Sequence, residues 1–169
     1  ISIEALEKIN EIGCDLLISV DCGITSAKEV EFAKTLGMDV IITDHHECQD
    51  EIPDAIAVIN PKQEDCTYPY DFLCGCGVAF KLIQALTPPE VFRESMYDYL
   101  EIVTLATICD IVPLKDENRI IVKNVVLISC IYRLFYNFVI YYRFLLNIKT
   151  FFTCYIVIFI INVMDSLNY

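Results

Sequence analysis

Three short apolar runs, each closed by a polar cluster, constrain this chain most. Residues 16–20 (LLISV) run into Asp21-Cys22-Gly23, residues 39–43 (DVIIT) into Asp44-His45-His46, and residues 55–59 (AIAVI) into Asn60-Pro61. Runs of this length that do not alternate in polarity suit strands buried on both faces, as in a parallel sheet covered by helices. The segments between them agree. Ile3, Leu6, Ile9 and Ile12 recur at helical spacing ahead of Gly13, and a second helix is predicted from Ser26 to Gly37, with Glu29 at capping-box distance from Ser26. Strand, helix and strand in this order predict a βαβ unit and an α/β fold, a parallel sheet with flanking helices.

Such a sheet binds ligands at the carboxyl ends of its strands. Adjacent strand ends would therefore bring Asp21 together with Asp44, His45 and His46. Carboxylates mixed with imidazoles suit Mn²⁺ or a similar divalent ion, and a pair of such ions serves in-line attack on phosphate. Taken alone, Asp21 is more simply a turn or capping residue, and a His pair a surface turn. Their joint placement, each after an apolar strand, favours a site.

Further along, Gly75-Cys-Gly77 leads into a helix predicted over 78–86, which Pro88-Pro89 ends. Residues 90–108 form another, followed by Asp110 and a turn at Pro113. Asp110 alone would pass as an ordinary turn residue. Cys74 and Cys76 have no second Cys pair at zinc-site spacing and are read as structural.

Composition divides the chain. Residues 1–119 hold 8 of the 12 basic and 23 of the 24 acidic residues, whereas residues 120–169 hold 12 of the 20 Phe and Tyr. The acidic part argues against a self-sufficient DNA-binding module, since phosphate contacts need Lys and Arg. The 9 Cys lack framework spacing and no basic region precedes an apolar run at the start, so the thiols are read as reduced and intracellular. The chain begins with Ile, so the natural N-terminus is expected upstream. After residue 124 neither helical nor strand periodicity is clean. Residues 150–164 lack charge but fall short of the roughly 20 residues a membrane helix needs, and Arg133, Arg143 and Lys149 interrupt the apolar stretch. The expected organisation is therefore a partial domain over 1–124 and a hydrophobic tail over 125–169, irregular or helical, that is foreign to the fold. A membrane anchor or a genuine core segment are the other readings of that tail.

Five blocks carry a resemblance: Val20-Asp-Cys-Gly23, Thr43-Asp-His-His-Glu47, Asn60-Pro61, Gly75-Cys-Gly-Val-Ala-Phe-Lys-Leu82, and Cys109-Asp-Ile-Val-Pro-Leu114 followed by Glu117-Asn-Arg119. In this order they resemble the RecJ-type exonucleases of the DHH phosphoesterase family, far more specifically than a lone Asp-His-His would. The resemblance covers residues 1–124. It implies a metal-dependent hydrolase that removes nucleotides from the 5′ end of single-stranded DNA in repair and recombination, with Mn²⁺ or Mg²⁺ as cofactor, two ions in the intact enzyme, and a cytoplasmic location. It implies Asp21, His45 and Asp110 as metal ligands. His46 would bind or polarise the scissile phosphate, and Asp44 would orient the histidines, making these two the expected catalytic pair. Gly75 and Gly77 would let backbone approach substrate closely. Lys81 and Arg119 are candidate phosphate contacts, with salt-bridged surface roles equally open.

Departures from the family pattern bear on activity. An upstream Asp-x-Asp block, the DHH-associated domain and the OB-fold have no counterpart in these residues, so the chain is expected to be a fragment with poor activity alone. The alternatives are a DHH-family oligonucleotide or nucleotide phosphatase, a non-catalytic scaffold, which would have lost Asp-His-His, and a membrane-anchored domain.

Overall fold

The computed structural model describes residues 1–129. Eight elements follow in order: α1 (Ile3–Glu11), β1 (Leu16–Val20), α2 (Ala27–Thr35), β2 (Asp39–Thr43), β3 (Ala57–Ile59), α3 (Gly75–Leu86), α4 (Pro89–Cys109) and α5 (Asp116–Ser129). The described residues form two compact units, one over Ile1–Ala79 and a second from Phe80 onward, dividing within α3.

The first unit holds the predicted parallel sheet, in the order β1-β2-β3. Its register matters most for function. Val20 pairs with Thr43 and Thr43 with Ile59, so all three strands end in one row. The next residues, Asp21, Asp44 and Asn60, must then emerge along a single edge. Two backbone bonds extend the ladder one step into that edge, Asp21 N donating to Thr43 O at 3.0 Å and Asp44 N to Ile59 O at 3.0 Å.

Leu6 of α1 and Val30 and Ala33 of α2 pack with Met38, Val40 and Ile42 to form the core beneath the sheet. Burying each large side chain contributes about 1.5–3 kcal/mol. Ser2 caps α1 through its Oγ, which accepts from Ala5 N at 3.3 Å, and Gly13 leaves the helix with φ of 78°. Only part of the predicted apolar stripe is used: Leu6 is buried, while Ile12, just past the last turn, is 83% exposed. Ser26 is the N-cap of α2 but makes no side-chain capping bond, so the predicted capping box does not form. The third strand is shorter than the 55–59 run. Among the described residues it pairs with β2 alone and so forms an edge, its three residues are half-buried, and Pro53 lies just upstream.

Helix α3 begins at Gly75, three residues before its predicted start. Cys74 provides the reason: its Sγ accepts from Gly77 N at 3.3 Å and its carbonyl from Val78 N at 3.0 Å. The glycines thus lie inside the first turn rather than in a loop before it.

In the second unit Phe80 packs against Phe92, with ring centroids 5.3 Å apart, and against Tyr99 at 6.5 Å. Pro89 opens α4 at a position where a missing N–H costs nothing. Thr104 Oγ1 donates to Ile121 O at 3.4 Å, tying α4 to α5. Sequence periodicity does not predict helix α5. It passes residue 124 without interruption, and Val125 is buried. The expected foreign tail, and the membrane anchor considered for it, otherwise lie outside the described residues. Among the described residues no helix is long and apolar enough to cross a membrane.

Candidate metal centre

The strand-end edge of the first unit gathers four of the predicted site residues. Asp21 directly follows β1 and holds a left-handed backbone with φ of 61°, uncommon for a residue with a Cβ. This conformation turns the chain sharply out of the strand. The Asp21 carboxylate, with a side chain 46% exposed, lies with Oδ1 3.0 Å from Nε2 of His45. The side chain of His45 is 10% exposed, and its ring centroid lies 4.5 Å from that of His46.

Asp44 underlies this arrangement. Its carboxyl is 1% exposed, and both oxygens are occupied. Oδ1 accepts from His45 N at 2.7 Å, from His46 N at 3.2 Å and from His46 Nδ1 at 2.7 Å, while Oδ2 accepts from Ile24 N at 2.9 Å. Burial alone would raise the pKa of this group, but these four hydrogen bonds outweigh it. They hold the carboxyl below the ordinary carboxylate range, so it is ionised. Asp44 is therefore a positioning residue, shielded from solvent.

One residue outside the predicted site belongs with it. Asn60 is 2% exposed; its Nδ2 donates to His46 O at 2.9 Å and its Oδ1 accepts from Lys62 N at 2.9 Å. It ties the end of β3 to the histidine turn at the end of β2. The Asn-Pro block marked it as part of a pattern, but only the strand register reveals the contact.

One ligand atom from each of Asp21, His45 and His46 lies within 4.8 Å of the others. A carboxylate and two imidazoles at this spacing fit a divalent ion of the Mn²⁺ type. With Nδ1 of His46 engaged by ionised Asp44, Nε2 is the His46 nitrogen left to face a ligand. Cys22 does not compete for this role. Burial pushes its thiol up, and the nearby Asp44 and Asp21 carboxylates add to that against the opposing pull of the N-terminal ammonium.

The remaining predicted residues are placed as follows. A Cβ added to Gly75 would run into the Asp21 side chain, so its bare backbone accommodates a carboxylate of the chain itself. One added to Gly77 would meet Leu73 at 3.3 Å. Lys81, in the second unit, forms an ion pair with Glu117 and donates to Gln84 Oε1 at 3.4 Å. Asp110 is the C-cap of α4, and Arg119 lies in α5. Cys74 and Cys76 are buried in the first unit, Cys74 capping α3, as structural thiols should be.

The model of the DHH family, N-terminal domain, matches residues 3–107. The chain is 49% identical over 118 residues to the single-stranded-DNA-specific exonuclease RecJ of Bacillus subtilis, covering 70% of this chain and 14% of that protein. With the RecJ of Escherichia coli it shares 38% identity over 131 residues, covering 72% of this chain and 23% of that one. The chain thus spans less than a quarter of the length of these relatives. Among solved structures it resembles RecJ from Thermus thermophilus in complex with Mn²⁺, with a TM-score of 0.57 and 30% identity over 72% of this chain and 18% of that one. It also resembles an exonuclease RecJ bound to manganese, with a TM-score of 0.56 and 30% identity over 73% of this chain and 31% of that one. The match to the family model over more than half its length, on a fold that sets Asp-His-His at the strand ends, decides the family: the chain belongs to the DHH family.

Proposed function

We propose that this chain is the metal-binding part of a single-strand-specific DNA exonuclease acting from the 5′ end by metal-dependent phosphodiester hydrolysis. The observation that carries this reading is the convergence of Asp21, His45 and His46 at the carboxyl ends of β1 and β2. Similarity to RecJ exonucleases, two of them solved with manganese, supports both the substrate and the ion. Bound Mn²⁺ would supply Lewis-acid stabilisation of the charge that develops on phosphate oxygens.

The chain's own residues have separate tasks in this reading. Asp21 and His45 hold the ion. Asp44 fixes the tautomer and orientation of His46, whose Nε2 faces the phosphate. Asn60 fixes the backbone that carries His46. Asp110 is proposed as a further ligand on the strength of its Cys109-Asp-Ile-Val-Pro-Leu114 motif, and Arg119 as a phosphate contact on that of Glu117-Asn-Arg119. Asp21 and His45, even with His46 beside them, fall short of what two ions need, so a two-ion centre requires additional ligands. A cytoplasmic location accompanies this reading.

The test is titration of the purified 169-residue chain with Mn²⁺, followed by the paramagnetic resonance of the free ion, alongside digestion of 5′-labelled single-stranded DNA. Saturable binding is expected, abolished by His45→Ala and weakened at least tenfold by Asp110→Asn, with only slow release of nucleotides. Binding unaffected by His45→Ala would remove the proposal, and binding unaffected by Asp110→Asn would remove that residue from the ligand set.

A further inference from the structure

We propose that Gly75 is a positioning residue for the Asp21 carboxylate: the missing side chain at position 75 is the space that holds Asp21 in its metal-facing pose. This inference rests on the reading of Asp21 as a ligand. A Cβ built at Gly75 would lie 2.5 Å from Cβ and 2.6 Å from Cγ of Asp21, and closer still to Oδ1, whereas ordinary contact begins at 3.4 Å.

Two features leave this clash without easy relief. The Asp21 Cβ is fixed by the backbone, so rotating the side chain cannot move it away. That backbone is itself fixed, because Asp21 takes a left-handed φ of 61° while its N–H stays bonded to Thr43 O. The other side is equally constrained. Leu73, Cys74 and Cys76 around Gly75 are buried, and Cys74 caps the first turn of α3 through Gly77 N. A methyl group at position 75 must therefore drive the strand end and the helix start apart by roughly an ångström, a displacement that close packing transmits. The Asp21 Oδ1, 3.0 Å from His45 Nε2, moves with it. Gly77 differs: its added Cβ would sit 3.3 Å from Cβ and Cδ2 of Leu73 and would not touch Asp21.

The experiment is a double-mutant cycle in the purified chain with Gly75→Ala and Asp21→Gly, the latter removing both the carboxylate and the Cβ at position 21. Gly13→Ala is the control, strained by its φ of 78° but with nothing within 4 Å of the added Cβ. Mn²⁺ affinity and the urea midpoint of the metal-free protein are both read. Gly75→Ala is expected to weaken Mn²⁺ binding at least tenfold and lower the midpoint, while Gly13→Ala leaves affinity within twofold. In the Asp21→Gly background, Gly75→Ala should change neither quantity further. Equal losses in both backgrounds, or unchanged affinity in Gly75→Ala, overturn the proposal. If Gly75→Ala does not fold, recovery of folding by Asp21→Gly supports it and continued failure overturns it. If Asp21→Gly itself leaves Mn²⁺ affinity intact, the ligand reading of Asp21 fails and this proposal with it, whereas coupling of the metal-free midpoints then shows only that the two residues pack together.

Discussion

Nδ1 of His46 lies 2.7 Å from Oδ1 of Asp44, and because that carboxylate is ionised the nitrogen must donate. The bond selects the tautomer of a half-exposed histidine from beneath, through a residue that no solute can reach. A histidine with its proton held on Nδ1 presents the Nε2 lone pair outward when neutral and a second N–H when charged.

Asp44→Asn should therefore harm both stability and the site. The carboxamide keeps one acceptor oxygen but puts an NH₂ group where the carboxylate received N–H donors, leaving buried donors unmatched. A loss of about 3 kcal/mol is expected in urea unfolding, since bonds to charged groups contribute about 1.5–3 kcal/mol each. Mn²⁺ affinity should fall by roughly 10-fold or more, because the same carboxylate holds the backbone N–H of His45, a proposed ligand. Unchanged affinity in a folded Asp44→Asn protein would contradict the role given to this carboxylate.

Asn60→Ala addresses the same turn from the other strand. It removes the donor to His46 O and the acceptor of Lys62 N at a residue only 2% exposed. A destabilisation of about 1–3 kcal/mol is expected. Asn60→Asp retains the acceptor for Lys62 N but sets an oxygen against His46 O, so it should be no better. Thermal midpoints of the two variants check this; an Asn60→Asp protein as stable as the unsubstituted chain would show that the His46 contact contributes nothing.

How much of this was legible beforehand depended on distance along the chain. The runs at 16–20 and 39–43 stand out because buried parallel strands need continuous apolar side chains, and the polar clusters after them follow the general rule for strand ends. Asn60 escaped because its meaning lies in the register of β3 against β2, which a three-residue edge strand barely encodes. The start of α3 is hidden because glycines read as loop formers, while the cap is a cysteine thiol, an unusual capping group. Helix α5 is hidden for the opposite reason: Ile120, Ile121, Val125 and Val126 follow one another too closely to form a distinct stripe. The nearness of Gly75 to Asp21, 54 positions apart, has no local signature at all.

Alkaline instability is expected from Cys76. Burial, with Cys74 and Asp21 adding to it, pushes this thiol well above its ordinary 9.0. Below 9.0 both the folded and the unfolded chain keep the proton, and the contribution is fully present. Above 9.0 the unfolded chain releases it while the folded chain retains it, so stability falls as pH rises, by up to about 1.4 kcal/mol per pH unit. Cys76→Ala should make the decline between pH 9 and 10 shallower in urea unfolding. Identical pH slopes with and without the thiol would mean that it ionises as easily in the folded state.

The last prediction concerns where the fold ends. Composition changes near residue 124, and the proposal that the following tail is foreign to the fold implies that it can be removed. Yet α5 continues to Ser129, and Val125 is 7% exposed within it. Cutting after Asn124 would remove a buried valine and the last turn of a helix that packs on α4. Losing such a side chain costs about 1.5–3 kcal/mol by area alone, before fraying of the shortened helix is counted. Two truncations separate the contributions. A chain ending at Ser129 should unfold cooperatively with an unchanged midpoint and be more soluble, because residues 130–169 carry 12 of the 20 Phe and Tyr and a single acid. A chain ending at Asn124 should unfold at clearly lower urea. If ending at Ser129 abolishes the cooperative transition, residues beyond it belong to the core and the tail is native to the fold. If ending at Asn124 leaves the midpoint unchanged, the burial of Val125 carries no stability and the boundary falls where the composition changes.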